Sequence, residues 1–404
     1  MTNKNEQRKV PELRFPEFSG EWEAKKIRNI CDIKRGASPR PIKDKKWFSK
    51  DSDIGWLRIS DVTKSHIFIK ETSQYLSDLG VSKSVLITEK SLLLSIAASV
   101  GIPSINDMKL CIHDGFVYFK NLQENIMFTY YQLLKVKNTW NKYGQPGSQV
   151  NLNGALVGNK TLFFPDIVEQ QKIGEFFSKL DRQIELEEKK LALLEEQKKG
   201  YMQKIFSQEL RFKDENGEEY PEWEKSRLDE ICTLTMGFTP STKNEDFWNG
   251  ELPWLSIAGM NSKYTSNANK NISESATKNK KIVKKGTLLM SFKLSIGNLT
   301  ILKEDMYTNE AICHFNWNNN NILNEYVYYY LKTIDIKSYG SRAAKGITLN
   351  SENLNSILTE LPEIREQNKI ANILSKLDEK IEKQRMKISN FNKRKTELLR
   401  TVLI

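Results

Sequence analysis

The chain has 404 residues, enough to bury two ordinary cores. Its 62 lysines and arginines outnumber 51 acidic residues, for a formal net charge of +11 and a pI near 9.1, which favours a polyanionic partner. Four cysteines without Cys-x-x-Cys spacing and three histidines that cluster with none of them predict reduced thiols, with no disulfide framework and no structural zinc. The amino-terminal stretch lacks the apolar run of a secretion signal and no later run is long and apolar enough to cross a bilayer, so the expected location is cytoplasmic.

After a polar tail, Leu13-Arg14-Phe15 leads through Pro16 and Gly20 to Glu21-Trp22-Glu23, a turn-rich leader. Around Gly36 the chain is strongly basic: Lys34, Arg35, Arg40, Lys43, Lys45, Lys46 and Lys50 surround Trp47-Phe48 against Asp44 alone. The short apolar runs Val85–Ile87 and Leu92–Ser95 read as buried strands, and Met127–Lys135 as a short helix. A glycine-rich loop (Gly144 to Gly147) and Asn151-Leu152-Asn153 follow, and Pro165 marks where a long helix begins. From Ile167 to Gln208, Ile173, Phe177, Leu180, Ile184, Leu191, Leu194, Tyr201 and Ile205 recur at heptad spacing, interrupted by Glu187 and Lys198. At about 1.5 Å per residue this helix would span roughly 60 Å, the scale of a spacer rod.

The same order then repeats. Leu210-Arg211-Phe212 leads through Gly217 and Pro221 to Glu222-Trp223-Glu224. Ile231-Cys232, Gly237 and Pro240 match Ile30-Cys31, Gly36 and Pro39; Trp254-Leu255-x-Ile257 matches Trp56-Leu57-x-Ile59; Ser291 and Gly297 match Ser95 and Gly101. Leu288–Ser291 reads as a strand and Glu325–Lys332 as a helix, before a second glycine-rich loop (Gly340 to Gly346), Thr348-Leu349-Asn350 and Pro362. A second seam follows in Ile370, Leu374, Leu377, Ile381, Ile388, Phe391, Leu398 and Val402, interrupted by Gln384 and Lys395. Asp181 and Asp378, Glu187 and Gln384, and Lys198 and Lys395 all stand 197 apart, so even the interruptions are copied, which unrelated helices would not do.

The expected fold is therefore α+β and duplicated, with two globules separated by two long antiparallel coiled-coil helices in pseudo-twofold arrangement. Its parts are a leader (1–20), a first globule (21–165), a central helix (166–208), a second globule (209–362) and a final helix (363–404). The expected helix register brings Glu187 to Lys395 and Lys198 to Gln384.

The sequence holds no G-x-x-x-x-G-K-[ST], no Asp/Asn-Pro-Pro-aromatic run, no Gly-x-Ser-x-Gly and no His-Glu-x-x-His. His113-Asp114 corresponds to Asn309-Glu310 and reads as a polar turn kept in both copies, so neither a catalytic nor a metal site is expected. For a nucleic-acid partner, lysines suit phosphates, whereas arginine and polar side chains suit base edges. The candidate contacts are Lys34, Arg35, Ser38, Arg40, Lys43, Lys45, Lys46, Arg58 and Gln149 in the first globule. In the second they are Thr239, Ser241, Lys243, Lys293, Arg342 and Lys345. The second globule has Phe247-Trp248 where the first has Trp47-Phe48, but its basic run comes later, at Lys263, Lys270, Lys278, Lys280, Lys281, Lys284 and Lys285.

The leaders ending in Trp22 and Trp223, the Gly36-x-x-Pro39 and Gly237-x-x-Pro240 turns, the Pro-x-Ile-x-Glu-Gln junctions at Pro165 and Pro362, and the two Ser-Lys-Leu-Asp-x-x-Ile-Glu runs come in duplicated order. In these the chain resembles, over essentially its whole length, the DNA specificity (S) subunits of type I restriction-modification systems. The resemblance implies two target-recognition domains, each reading one half of an asymmetric bipartite site in double-stranded DNA. It implies that the helix pair sets the spacer and docks the modification subunits. The implied partners are two modification (methyltransferase) subunits that methylate adenine N6 from S-adenosylmethionine, and restriction (translocase/nuclease) subunits that use ATP and Mg. No cofactor belongs to this chain on that reading, and it is not itself an enzyme. The competing expectation is a stand-alone DNA-modifying or DNA-cleaving enzyme with an unrecognised site. A structural coiled-coil protein unrelated to DNA is disfavoured, because it would not require two large duplicated globules.

Overall fold

The structure, a computed structural model, describes residues 9–63, 67–143, 151–343 and 346–404. His66, the first glycine-rich loop with Gln149, Lys345 and the Arg342 side chain lie outside what is described. The chain divides into two compact units, residues 1–189 with 386–404, and residues 190–385. Each unit takes a part of both long helices, which run Ile167–Phe206 and Ile364–Val402.

In the first unit a five-stranded sheet has the order Asp32–Arg35, Phe116–Lys120, Leu92–Ser95, Pro103–Asn106, Phe68–Ile69. Its neighbours are antiparallel except Phe68–Ile69, which runs parallel to Pro103–Asn106. Leu92–Ser95 and Pro103–Asn106 are buried at every position, which is why the former reads as unbroken apolar sequence rather than an alternation. Gly55–Leu57 and Val85–Ile87 flank Leu110–Ile112 in a second sheet. Glu23–Lys26 pairs antiparallel with Thr161–Phe164, bringing the leader beside the start of the long helix. The helix Ile126–Val136, capped by the Asn125 side chain, closes the core.

The second unit repeats this plan. Its five-stranded sheet runs Cys232–Met236, Ile312–Trp317, Leu288–Ser291, Leu299–Leu302, Tyr264–Thr265, again with only the last neighbour parallel. Leu252–Leu255 lies between Lys270–Ile272 and Tyr307–Thr308, Glu224–Arg227 pairs with Leu358–Leu361, and Asn324–Leu331 is the helix.

The duplicated motifs are the bonds that hold each frame. Arg14 makes a two-pronged pair with Glu169, Nε to Oε1 at 2.8 Å and Nη2 to Oε2 at 2.7 Å, and also donates to the carbonyls of Ser19 and Gly20. Arg211 does the same to Glu366 at 3.1 Å for both bonds, and donates to the Tyr220 and Pro221 carbonyls. Both glutamates are 0% exposed, so each carboxylate depends on its arginine for charge compensation. The adjacent Gln170 and Gln367 donate to the Pro165 and Pro362 carbonyls at 2.9 Å and accept the backbone N–H groups of Asn125 and Leu323.

The seam residues are all buried or half-buried except Tyr201, which is exposed. Several of them do more than face a helix: Ile173 and Phe177 join the core of the first unit, with Leu399, Val402 and Leu403, and Ile370, Leu374 and Leu377 join that of the second. Within each unit the two helix segments are antiparallel. Lys395 pairs with Asp181 and Lys387 with Glu187 in one; Lys198 pairs with Asp378 at 2.5 Å and Arg385 with Glu195 at 2.6 Å in the other. The expected register is therefore wrong by six residues in both places: Lys395 meets Asp181 instead of Glu187, and Lys198 meets Asp378 instead of Gln384. Asp181 and Asp378 also accept the Tyr131 and Tyr329 hydroxyls, at 2.7 and 2.5 Å. A carboxylate already held by the globule thus selects the lysine. Glu187 and Gln384, each 6% exposed, stay in the seam.

Candidate nucleic-acid interface

In the first unit the edge strand Asp32–Arg35 passes its chain to Gly36, whose N–H donates to the Phe116 carbonyl at 3.0 Å, while that of Ala37 donates to Ile112 at 3.1 Å. A Cβ on Gly36 would stand 2.3 Å from the His113 carbonyl oxygen, so only glycine lets the loop lie against the 113–115 turn. Four candidate residues converge on that turn. Arg35 Nε donates to the Asp114 carbonyl at 2.9 Å, Arg40 pairs with the Asp114 carboxylate at 2.7 Å, and Ser38 Oγ accepts the Asp114 N–H at 3.3 Å. The Arg58 guanidinium lies 5.6 Å from the Trp56 ring, which in turn lies 5.6 Å from His113. His113 Nδ1 accepts the Gly115 N–H at 2.9 Å. Burial above all, with Arg58, Arg40 and Arg35, outweighs Asp114 and holds the imidazole pKa below its ordinary 6.5, so the histidine is a neutral acceptor that shapes the turn.

Next along the loop, Trp47 Nε1 donates to the Pro41 carbonyl at 2.9 Å, and Lys46 pairs with Asp44 at 3.0 Å with its ammonium 4.5 Å from the Trp47 ring. Lys34, Lys43 and Lys45 are exposed.

The second unit builds the same loop and turn with other side chains. The Phe238 N–H donates to the Thr308 carbonyl at 2.8 Å, and a Cβ on Gly237 would meet that oxygen at 2.1 Å. Thr239 Oγ1 donates to the Glu310 carboxylate and accepts from Asn309 Nδ2 at 2.7 Å, and Asn309 also donates to Glu310 at 2.8 Å. Trp248 Nε1 donates to the Ser241 carbonyl at 3.2 Å, and its ring stands edge-on to Trp254 at 5.0 Å.

The missing positive charge arrives from elsewhere in the chain. Lys270, paired across the sheet with Trp254, has its ammonium 5.2 Å from the Trp248 ring, and Lys280 lies 5.3 Å from the Phe238 ring. Both belong to the later basic run read from the sequence; strand pairing opposite a tryptophan is the signal that would have singled out Lys270 within it, and no sequence pattern places Lys280 at Phe238. Lys243 and Lys293 are exposed. Lys263 belongs elsewhere: it is half-buried, donates to the Tyr329 hydroxyl at 3.0 Å and Ser375 Oγ at 2.7 Å, and burial pushes its pKa down to about 8. Lys284 is paired with Asp305 at 2.7 Å.

Each unit thus presents exposed cations beside aromatic rings and a rigid polar turn, a surface suited to phosphates and base edges. Among the described residues no group of three or more histidines, cysteines or carboxylates is placed to hold a metal, and no helix is long and apolar enough to cross a membrane.

A family model for the type I restriction modification DNA specificity domain matches residues 19–196 and again residues 220–389. Among similar proteins of Methanocaldococcus jannaschii, the type I restriction enzyme MjaIX specificity subunit is 30% identical over 49% of this chain and 48% of its own length. The putative type I restriction enzyme MjaX specificity subunit is 24% identical over 96% of this chain and 94% of its own. The fold is shared with the S subunit of a type I restriction-modification system from M. genitalium, at a TM-score of 0.61 and 16% identity over 98% of this chain and 99% of that one. It is also shared with a chain solved to explain complex assembly and conformational transition in the type I R-M system, at a TM-score of 0.58 and 15% identity over 94% and 96%.

Proposed function

This chain belongs to the type I restriction-modification DNA specificity family, and from that premise we propose that its two units each read one half of an asymmetric bipartite site while catalysis resides in partner subunits. The observation that carries this reading is the repeated frame with unlike edges: one glycine-pinned loop and polar turn, furnished with Arg35, Arg40 and Arg58 in one unit and with Thr239, Asn309, Lys270 and Lys280 in the other. Arginine suits guanine N7 and O6, asparagine suits adenine, and lysine suits phosphate, so the two halves of the site differ in sequence. The modification subunits, two per chain, supply S-adenosylmethionine chemistry, and the restriction subunits supply ATP- and Mg-dependent translocation and cleavage.

Sequencing of methylated adenines in the host, with and without this gene, tests the reading. One bipartite motif should disappear with the gene. Purified chain without partners should transfer no methyl group, and activity by the chain alone would overturn the division of labour.

The long helices set the unread spacer in this proposal and dock the modification subunits. Seven residues added after Leu194 and after Phe391 return each apolar stripe to its face and lengthen each helix by roughly 10 Å. The spacer should then grow by about three base pairs, with both half-site sequences unchanged. An unaltered spacer would remove the helices from that role.

A further inference from the structure

Leu294 is 93% exposed and sits at φ +61, so it combines an apolar side chain in water with a left-handed backbone that a Cβ disfavours. The loop that carries it is tightly pinned. Ser291 Oγ donates to the Ser295 carbonyl and accepts the Asn298 N–H at 3.2 Å, and the Gly297 N–H returns to the Ser291 carbonyl at 2.8 Å. The first unit builds the same loop, with Ser95 Oγ donating to Ser99 at 2.5 Å, accepting Ile102 N–H at 2.9 Å, and Ala98 at φ +56 in the corresponding place. The left-handed residue is therefore part of the frame, but the choice of leucine is not, since alanine satisfies the same backbone in the first unit.

The position of the loop gives the leucine a purpose. The Phe292 N–H donates to the Ala311 carbonyl at 3.0 Å, which seats the start of the loop beside the Asn309–Glu310 turn that holds Thr239. At its other end, a Cβ on Gly297 would touch Ile336 at 3.8 Å, just before the hairpin Ser341–Ala343 with Gly346–Thr348. Lys293 beside it is exposed. An isolated apolar side chain raised on a pinned loop, with an exposed cation next to it in sequence and the loop's start seated beside the Asn309–Glu310 turn, has the make-up of a wedge that enters a groove and parts a base step.

Resting on the specificity reading above, we propose that Leu294 inserts against one base step of the half-site read by the second unit, with Lys293 on the adjoining phosphate. The insertion confers a preference at that step for easily unstacked sequence, such as pyrimidine–purine, without any hydrogen bond to its bases.

The test uses the full chain assembled with its modification subunits and duplexes carrying its methylated motif, with 2-aminopurine scanned through the second half-site. Wild type should raise the fluorescence at one step. Leu294→Ala should abolish that rise and weaken binding about tenfold, the scale of losing one buried leucine side chain, while Leu294→Met retains both. Because Ala98 occupies the equivalent position, Leu294→Ala is expected to fold. Selective binding with the same fluorescence and affinity in wild type and Leu294→Ala would overturn the wedge alone. An assembly that binds no duplex selectively would overturn the specificity reading and the wedge together.

Discussion

In the first unit the loop after Gly36 draws its positive charge from its own neighbourhood, with Arg35 and Arg40 folded onto the Asp114 turn. The second unit meets the rings of Trp248 and Phe238 with Lys270 and Lys280, from a later part of the chain. Behind the loops the units share their main bonds, Arg14 with Glu169 and Arg211 with Glu366, Gln170 with Gln367, Asp181 with Asp378, and the second unit adds one from Trp223 Nε1 to Glu366 at 3.0 Å. The difference teaches that the frame is self-sufficient. Its main hydrogen bonds run between frame residues, so the edge side chains can change identity, and even sequence position, without loosening it.

Exchange of the globules probes that independence most severely. Residues 21–160 placed where 222–357 stand should give a protein that directs methylation to a site built of two copies of the first half-site. Methylome sequencing checks this, and continued modification of the original second half-site would show that specificity lies outside the globules.

Removal of one frame arginine should be the largest stability effect. Arg211→Ala leaves the buried Glu366 carboxylate with the Trp223 indole N–H at 3.0 Å but without its cation and should cost about 3–5 kcal/mol, read by denaturant unfolding of the second unit, with Arg14→Ala expected to cost the first at least as much. A smaller loss from Arg14→Ala than from Arg211→Ala would overturn that order.

A pH effect should follow in the second unit. Burial pushes His314, which accepts or donates to Thr235 and Thr308, from its ordinary 6.5 down to about 4. The unfolded chain binds the proton first, so this group's contribution is intact above pH 6.5, declines as pH falls, and is lost at about pH 4, a change on the order of 3 kcal/mol. Thermal unfolding from pH 7 to 4.5 should show a smaller decline in His314→Asn than in wild type; equal slopes would mean the imidazole is not kept neutral.

The smallest effects are the most diagnostic of chemistry. Arg58→Ala should cost about 1–3 kcal/mol of binding and relax one base of the first half-site, whereas Lys270→Ala should weaken all sequences evenly and lower the salt slope by about one. Titrations at several salt concentrations distinguish these outcomes, and a base-specific loss from Lys270→Ala would reverse the assignment of roles.

The duplication, the strands Leu92–Ser95 and Leu288–Ser291, and the apolar seams were legible because each is written in contiguous or periodic residues. The helix register was not. Heptad packing changes little when one helix slides by nearly a heptad, and the register that holds is the one in which Lys395 and Lys198 reach aspartates already bonded to Tyr131 and Tyr329. For the site, the clustering of Arg35, Ser38 and Arg40 followed from their closeness in sequence, while Lys270 reaches Trp248 through a sheet pairing with Trp254 that no local pattern displays.

The partition of the chain also orders its birth. The second unit is one uninterrupted stretch, residues 190–385, whereas the first needs residues 386–404 to complete it. Leu399, Val402 and Leu403 lie in the first unit's core, and the Thr401 carbonyl accepts the Leu13 N–H at 3.0 Å. The globule translated first is therefore the one that finishes last. At roughly 5–20 residues per second, it waits on the order of ten to forty seconds after its own sequence has left the ribosome, with the places of Leu399, Val402 and Leu403 in its core unfilled. That interval is when a chaperone has the most to hold.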